Sequence, residues 1–166
     1  AQGCRRAFVY CNSLSAAVDF PGLAEETGMQ IVTPLDVYRR LAPRYRALGV
    51  IAANAQGLSG IEKVLLEANP ALDLLGACAL PVVLAVEAGM PPEELVERHG
   101  LAALAAWFAG GGMEALVLGC THFPYFKEAL AARPGRPLGD PAEEMLRLRP
   151  QSTKRTVVFH GPLCFA

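Results

Sequence analysis

Apolar and polar positions along the chain fall into two kinds of segment: short unbroken apolar runs and longer stretches with helical spacing. Ala7, Phe8, Val9 and Tyr10 run without a break into Asn12 and Ser13, which predicts a buried strand over 6–11 and a helix from about Ser13. Pro21 and Gly22 are expected to disturb that helix, Gly28 to end it, and Ile31 with Val32 to form a short strand over 30–33. Val37 and Leu41 give 35–47 a helical spacing with a kink at Pro43, before a third strand over 48–53. Ile61, Val64, Leu65 and Ala68 share one face of a helix over 57–68, and a strand is expected over 72–75. Segments 82–89, 92–99 and 101–109 read as helices, the last placing Trp107 and Phe108 in the core. Strong strand character over 114–119 ends on Cys120; a helix over 121–132, a strand over 137–140, a helix over 141–148 and a strand over 156–160 complete the chain. Strands alternating with helices across short loops define an α/β fold with mainly parallel sheets.

Gly110, Gly111 and Gly112 follow a helix and precede a strand, whereas a phosphate-cradling loop runs from a strand into a helix. They read as a helix cap and turn.

The two ends of the chain echo each other. VYCNSLSAA followed by QIVTPLDVYRRL, and VLGCTHFPYF followed by RPLGDPAEEMLRL, each run from a hydrophobic strand ending in Cys, through a polar pair opening a helix, to a short strand and a Pro-led helix. The echo predicts two similar lobes with a pseudo-twofold relation. Residues 1–35 and 142–166 are assigned to a first, incomplete α/β lobe, and 36–141 to the second. Cys11 and Cys120 then sit at the carboxyl edges of their sheets, where open α/β sheets bind ligands. Each thiol is expected at a helix N-terminus, which favours thiolate and binds anions. Two opposed thiols around one small anionic ligand form an acid and base pair that takes a proton from one face of a carbon and returns one to the other. Inversion at a stereocentre is the outcome, and the scheme requires no cofactor.

Composition narrows the alternatives. Over 166 residues the chain is 52% hydrophobic and 19% charged, the opposite of a disordered composition. With 15 Lys plus Arg against 16 Asp plus Glu, no net field draws it to nucleic acid or an anionic bilayer. No apolar stretch reaches the roughly 20 residues of a membrane span. Five cysteines without dense spacing suit a reducing cytoplasm, the expected location. Cys4, Cys78 and Cys164 carry no motif, and no metal site is expected, because Cys120 with His122 and His160 with Cys164 lack paired ligand spacing.

The segment from Leu116 to Phe126, LVLGCTHFPYF, with Cys11-Asn12-Ser13 upstream, resembles the cofactor-independent aspartate/glutamate racemase family, most nearly its glutamate-acting branch. The resemblance spans roughly 6–148. It implies an isomerase that converts L-glutamate to D-glutamate for cell-wall peptidoglycan, with Cys11 as base toward the D-enantiomer, Cys120 toward the L-enantiomer, and His122 assisting Cys120. It further implies that Asn12, Ser13 and Thr121 hold the substrate's amino and carboxylate groups and that Glu87 is a cleft carboxylate. A small amino-acid substrate is the implied partner, with a homodimer left open. The family's opening acid-Ser-Gly loop has no counterpart here, Ser13 stands where a Thr is usual, and 52–57 lacks the family's threonines. The first lobe is therefore expected to be incomplete, with the activity of the chain alone left open. Alternatives are a racemase of aspartate or another amino acid, a single-Cys lyase or hydrolase, and a non-catalytic dicarboxylate-binding remnant.

Overall fold

A computed structural model of the chain describes residues 4–133, 138–139, 145 and 156–160. Its first elements are β1 (Arg6–Tyr10), α1 (Asn12–Ala17), α2 (Phe20–Thr27), β2 (Gln30–Val32), α3 (Pro34–Leu41), β3 (Ala47–Ala52) and α4 (Ala55–Ala68). They are followed by β4 (Asp73–Cys78), α5 (Leu80–Glu87), α6 (Pro92–Arg98), α7 (Leu101–Gly110), β5 (Ala115–Gly119), α8 (Lys127–Ala131), β6 (Leu138–Gly139) and β7 (Thr156–His160). The strands make two sheets, one ordered β2-β1-β7 and one ordered β4-β3-β5-β6. Every strand pairing among the described residues is parallel.

The echo in the sequence has a counterpart in strand order. Each Cys-bearing strand pairs with the short strand that follows it, β1 with β2 and β5 with β6. On its other side each has a further parallel strand, β7 beside β1 and β3 beside β5.

Why β5 is an unbroken apolar run follows from its place. All five residues are buried, because the strand lies between β3 and β6 and is covered on both faces. Its alternate side chains feed two cores. Leu116 and Leu118 join Ile51, Val82, Leu95, Leu101 and Phe108 under α5, α6 and α7. Ala115 and Val117 join Leu48, Val50, Tyr38, Ile61 and Leu65 under α3 and α4. Each such Leu, Ile or Val contributes roughly 1.5–3 kcal/mol by leaving water. Strand β4, at the edge, keeps only partial cover.

Four local expectations are corrected. The helix expected through Pro21 is two helices: the Asp19 carboxylate accepts from the Gly22 N–H at 3.0 Å and caps α2, with Pro21 in the first turn where no donor is needed. Pro21 therefore starts a helix, and Gly28, at φ 64, closes it in the left-handed region. The strand expected over 72–75 extends through Cys78, held by full register with β3. The segment after Cys120 does not enter an α-helix. The Phe123 N–H reaches the Cys120 carbonyl at 3.1 Å and the Tyr125 N–H that of His122 at 3.2 Å, giving a 3-10 segment over Phe123–Phe126 before α8. Pro124 has no N–H to offer the Cys120 carbonyl, so an α-turn cannot close there.

Trp107 is the fourth. Residues i and i+1 of a helix point about 100° apart, and the inward stripe of α7 is Leu101, Ala105 and Phe108. Phe108 is buried as expected, whereas Trp107 is 54% exposed. The helix expected over 141–148 lies outside the described residues except for Met145, which packs with Phe8, Val32 and Val37. Among the described residues no helix is long and apolar enough to cross a membrane.

Candidate active site

Both motif cysteines close a strand. Cys11 follows β1 with extended backbone and is the N-cap of α1, a helix of only six residues. Cys120 follows β5 and precedes the 3-10 segment, so the expected α-helix N-terminus exists at Cys11 and not at Cys120. Both are closed from solvent, at 6% and 4% exposure.

A chain of contacts links the two strand ends. The Ser13 hydroxyl donates to Asn54 Oδ1 at 3.4 Å, and the same oxygen accepts the Gly57 N–H at 2.9 Å, capping α4. Asn54 lies two residues beyond Ala52, which is in register with Gly119, the residue before Cys120. Helix α1 packs directly on α4: a Cβ added at Gly60 would lie 2.3 Å from Ala16 Cβ. The carboxyl ends of β1, β3 and β5 thus converge on one junction.

Around Cys120 two side-chain contacts run in series. Its Sγ lies 3.5 Å from His122 Nδ1, and His122 Nε2 lies 3.1 Å from Glu87 Oε1. A carboxylate only accepts, so the contact with Glu87 takes a proton on Nε2, and the neutral tautomer with that proton presents its Nδ1 lone pair to the thiol. The His122 side chain is 15% exposed and that of Glu87 34%, which leaves the series open to solvent at its carboxylate end. Glu87 ends α5 and reaches His122 across 35 residues of sequence.

Around Cys11 the partners are amides and hydroxyls. Asn12 is 3% exposed, and its Oδ1 accepts the Tyr38 hydroxyl at 2.7 Å. Ser13 is engaged by Asn54, as above, and Thr121 sits half-buried in the turn after Cys120. The structure therefore gathers Cys11, Asn12 and Ser13 at one strand end and Cys120, Thr121, His122 and Glu87 at another. Tyr38 and Asn54 were missed by sequence reasoning. Asn54 carries a legible signal, a cap residue three positions before the helical Gly57; Tyr38 reads only as part of an apolar stripe.

The remaining described cysteines stand apart. Cys78 ends the edge strand, and burial, then the charge of Glu62, pushes its thiol up from the usual range, which lowers its reactivity. A surface groove of about 460 Å³ beside β2, lined by Gln30, Asp36, Arg39 and Arg40, and one of about 500 Å³ lined by Glu93, Tyr125 and Lys127, contain neither motif thiol. They are open surface features without the paired chemistry, so the cysteines and not the grooves locate the site.

The fold is thus two parallel sheets, each with a cysteine at the carboxyl end of an inner strand. The chain is 37% identical to the glutamate racemase of Thermus thermophilus over 168 residues, covering 98% of this chain and 59% of that protein. It is 33% identical over 106 residues to that of Limosilactobacillus reuteri. The Thermus thermophilus glutamate racemase solved with beta-chloro-D-alanine superposes with a TM-score of 0.62 at 28% identity, covering 97% of this chain and 65% of that one. The Francisella tularensis glutamate racemase solved with D-glutamate gives a TM-score of 0.70 at 24% identity and shares the fold. No protein-family model matches. The chain is thus similar in sequence and fold to glutamate racemases of the aspartate/glutamate racemase family, and it spans about 59% of the length of the first of these relatives.

Proposed function

We propose that this chain carries the two-thiol machinery of a glutamate racemase, with Cys11 and Cys120 as the acid and base at the α-carbon. The observation that carries the reading is the pair of motif cysteines, each ending an inner strand of its own parallel sheet, with a His–Glu relay on one of them. In the L-to-D direction His122 Nδ1 takes the Cys120 thiol proton, the thiolate removes the α-proton, and the Cys11 thiol delivers a proton to the opposite face. Cys120 ends as thiol, Cys11 as thiolate, and no electrons leave the system. Asn12, Ser13 and Thr121 are the candidates for holding the amino and carboxylate groups. Both thiols are closed from solvent, so substrate entry requires the junction between the lobes to open. A cytoplasmic location, a supply of D-glutamate to cell-wall synthesis and a homodimer belong to the same reading.

The direct test is deuterium incorporation at the α-carbon when the chain is held with L- or D-glutamate in heavy water. Exchange and inversion of both enantiomers support the reading. Glutamate binding without exchange makes the chain a dicarboxylate-binding remnant, and neither binding nor exchange removes glutamate as its substrate.

The relay makes a further prediction. Glu87→Gln keeps an oxygen for His122 Nε2 but removes the charge that stabilises the imidazolium formed when Nδ1 takes the thiol proton. The kcat/KM falls about tenfold, roughly 1.4 kcal/mol of barrier, and equally in both directions because an inversion has an equilibrium constant of unity. Initial rates by circular dichroism check this. The melting temperature moves by no more than about 2 °C, since Gln keeps the hydrogen bond and a partly exposed polar contact contributes little stability.

A further inference from the structure

The two ends of the Asn12 amide have different fates. Its oxygen accepts the Tyr38 hydroxyl at 2.7 Å, whereas its nitrogen is buried without a partner among the described residues. Buried polar groups are satisfied with few exceptions, and an exception next to a reactive group is where a ligand is expected to complete the bonding. Asn12 directly follows Cys11, and Asn12 and Tyr38 are 3% and 0% exposed.

An amide is two-faced: rotation about its terminal bond exchanges an acceptor for a donor with almost no change of shape. The orientation here is the one in which the Tyr38 hydroxyl donates to Oδ1. The Tyr38 ring is held in the core with Leu48, Val50, Ile61 and Leu65 under α3 and α4, so the hydroxyl cannot follow the amide if it turns. A phenol donating to Oδ1 leaves Nδ2 as the end available to a ligand. With the orientation reversed, an oxygen would meet the substrate's carboxylate and repel it.

We propose that Tyr38 is a positioning residue for substrate binding, holding the Asn12 amide so that Nδ2 donates to a carboxylate oxygen of the acidic amino acid. The identity of the ligand rests on the racemase reading; the orientation of the amide does not. Tyr38 touches Asn12 across 26 residues of sequence and joins α3, packed on the second sheet, to the helix that follows Cys11. Recognition beside one catalytic thiol is thereby tied to the core of the other lobe.

Tyr38→Phe removes the hydroxyl and keeps the ring in its core position. Calorimetric titration with L- and D-glutamate of the full chain, Tyr38→Phe, Asn12→Ala and the double variant reads the coupling. Tyr38→Phe weakens glutamate roughly five- to tenfold, the worth of one hydrogen bond. The same change has no effect on affinity in the Asn12→Ala background. Unchanged affinity in Tyr38→Phe, or equal weakening with and without Asn12, overturns the proposal. The side-chain amide signals of Asn12 in nitrogen-15 spectra, assigned by their loss in Asn12→Ala, give a reading independent of ligand. They shift in Tyr38→Phe if Tyr38 holds the amide and stay in place if it does not. A wild-type chain that binds no glutamate while these signals shift removes the racemase reading and keeps the Tyr38–Asn12 assignment.

Discussion

Replacing either Cys11 or Cys120 by alanine lowers the rate of glutamate inversion by about 10²- to 10⁴-fold, the range expected when a positioned acid or base is removed. The loss falls on both substitutions because each half of the reaction needs a proton carrier on its own face of the α-carbon. Exchange with solvent separates the roles. Cys11→Ala retains residual deuterium exchange into L-glutamate through Cys120, and Cys120→Ala retains it into D-glutamate through Cys11, each without inversion. An enzyme with a single nucleophilic thiol behaves differently, tolerating the loss of one cysteine with little change. Proton NMR of the α-position in heavy water distinguishes the two patterns. A variant that still inverts glutamate at the wild-type rate eliminates the paired-thiol mechanism.

Gly60→Val destabilises the chain by about 3 kcal/mol, lowering the melting temperature by roughly 6–12 °C for a chain of this size. Helix propensity alone argues the other way, since glycine within a helix costs about 0.5–1 kcal/mol relative to alanine. Steric overlap decides the sign. A Cβ at Gly60 falls 2.3 Å from Ala16 Cβ and 3.2 Å from Ala16 Cα, atoms fixed to the backbone of α1 and unable to swing aside. Helix α1 must move off α4, and with it the segment carrying Asn12 and Ser13 beside Cys11, so activity falls with stability. Gly110, at the end of α7, has no atom within 4 Å of such a Cβ and serves as the control. Gly110→Ala shifts stability by less than about 1 kcal/mol. Thermal melts of the two variants check the contrast, and an unchanged melting temperature for Gly60→Val overturns the close packing of α1 on α4.

The alternation of strands and helices was legible because it rests on local patterns. Buried strands of a parallel sheet read as apolar runs, as in β3 and β5, and the helices between them show their inward stripes, as in Ile61, Val64 and Leu65 of α4. The cysteines were legible for the same reason: each ends a strand and meets cap-type residues. Misreadings fell where one residue has two local uses. Pro21 breaks a helix or begins one, and only the Asp19 cap chose between them. Trp107 and Phe108 are equally apolar, yet a helix turns only one of them inward.

Contacts at the site were less legible, because they join distant positions. Glu87 meets His122 across 35 residues, Ser13 meets Asn54 across 41 and Tyr38 meets Asn12 across 26. No periodicity encodes such pairs; they exist because parallel strands bring their carboxyl ends to a common edge and the helices packed on them set side chains opposite one another. By itself, then, the amino-acid order determined the α/β architecture and the two thiol-bearing strand ends, since hydrophobic spacing and capping act over a few residues. Only tertiary structure decided which groups lie beside those thiols. The His122 and Glu87 contacts at Cys120 and the Tyr38–Asn12 contact beside Cys11 depend on where whole helices dock, and docking is settled by the packed core and not by any one segment.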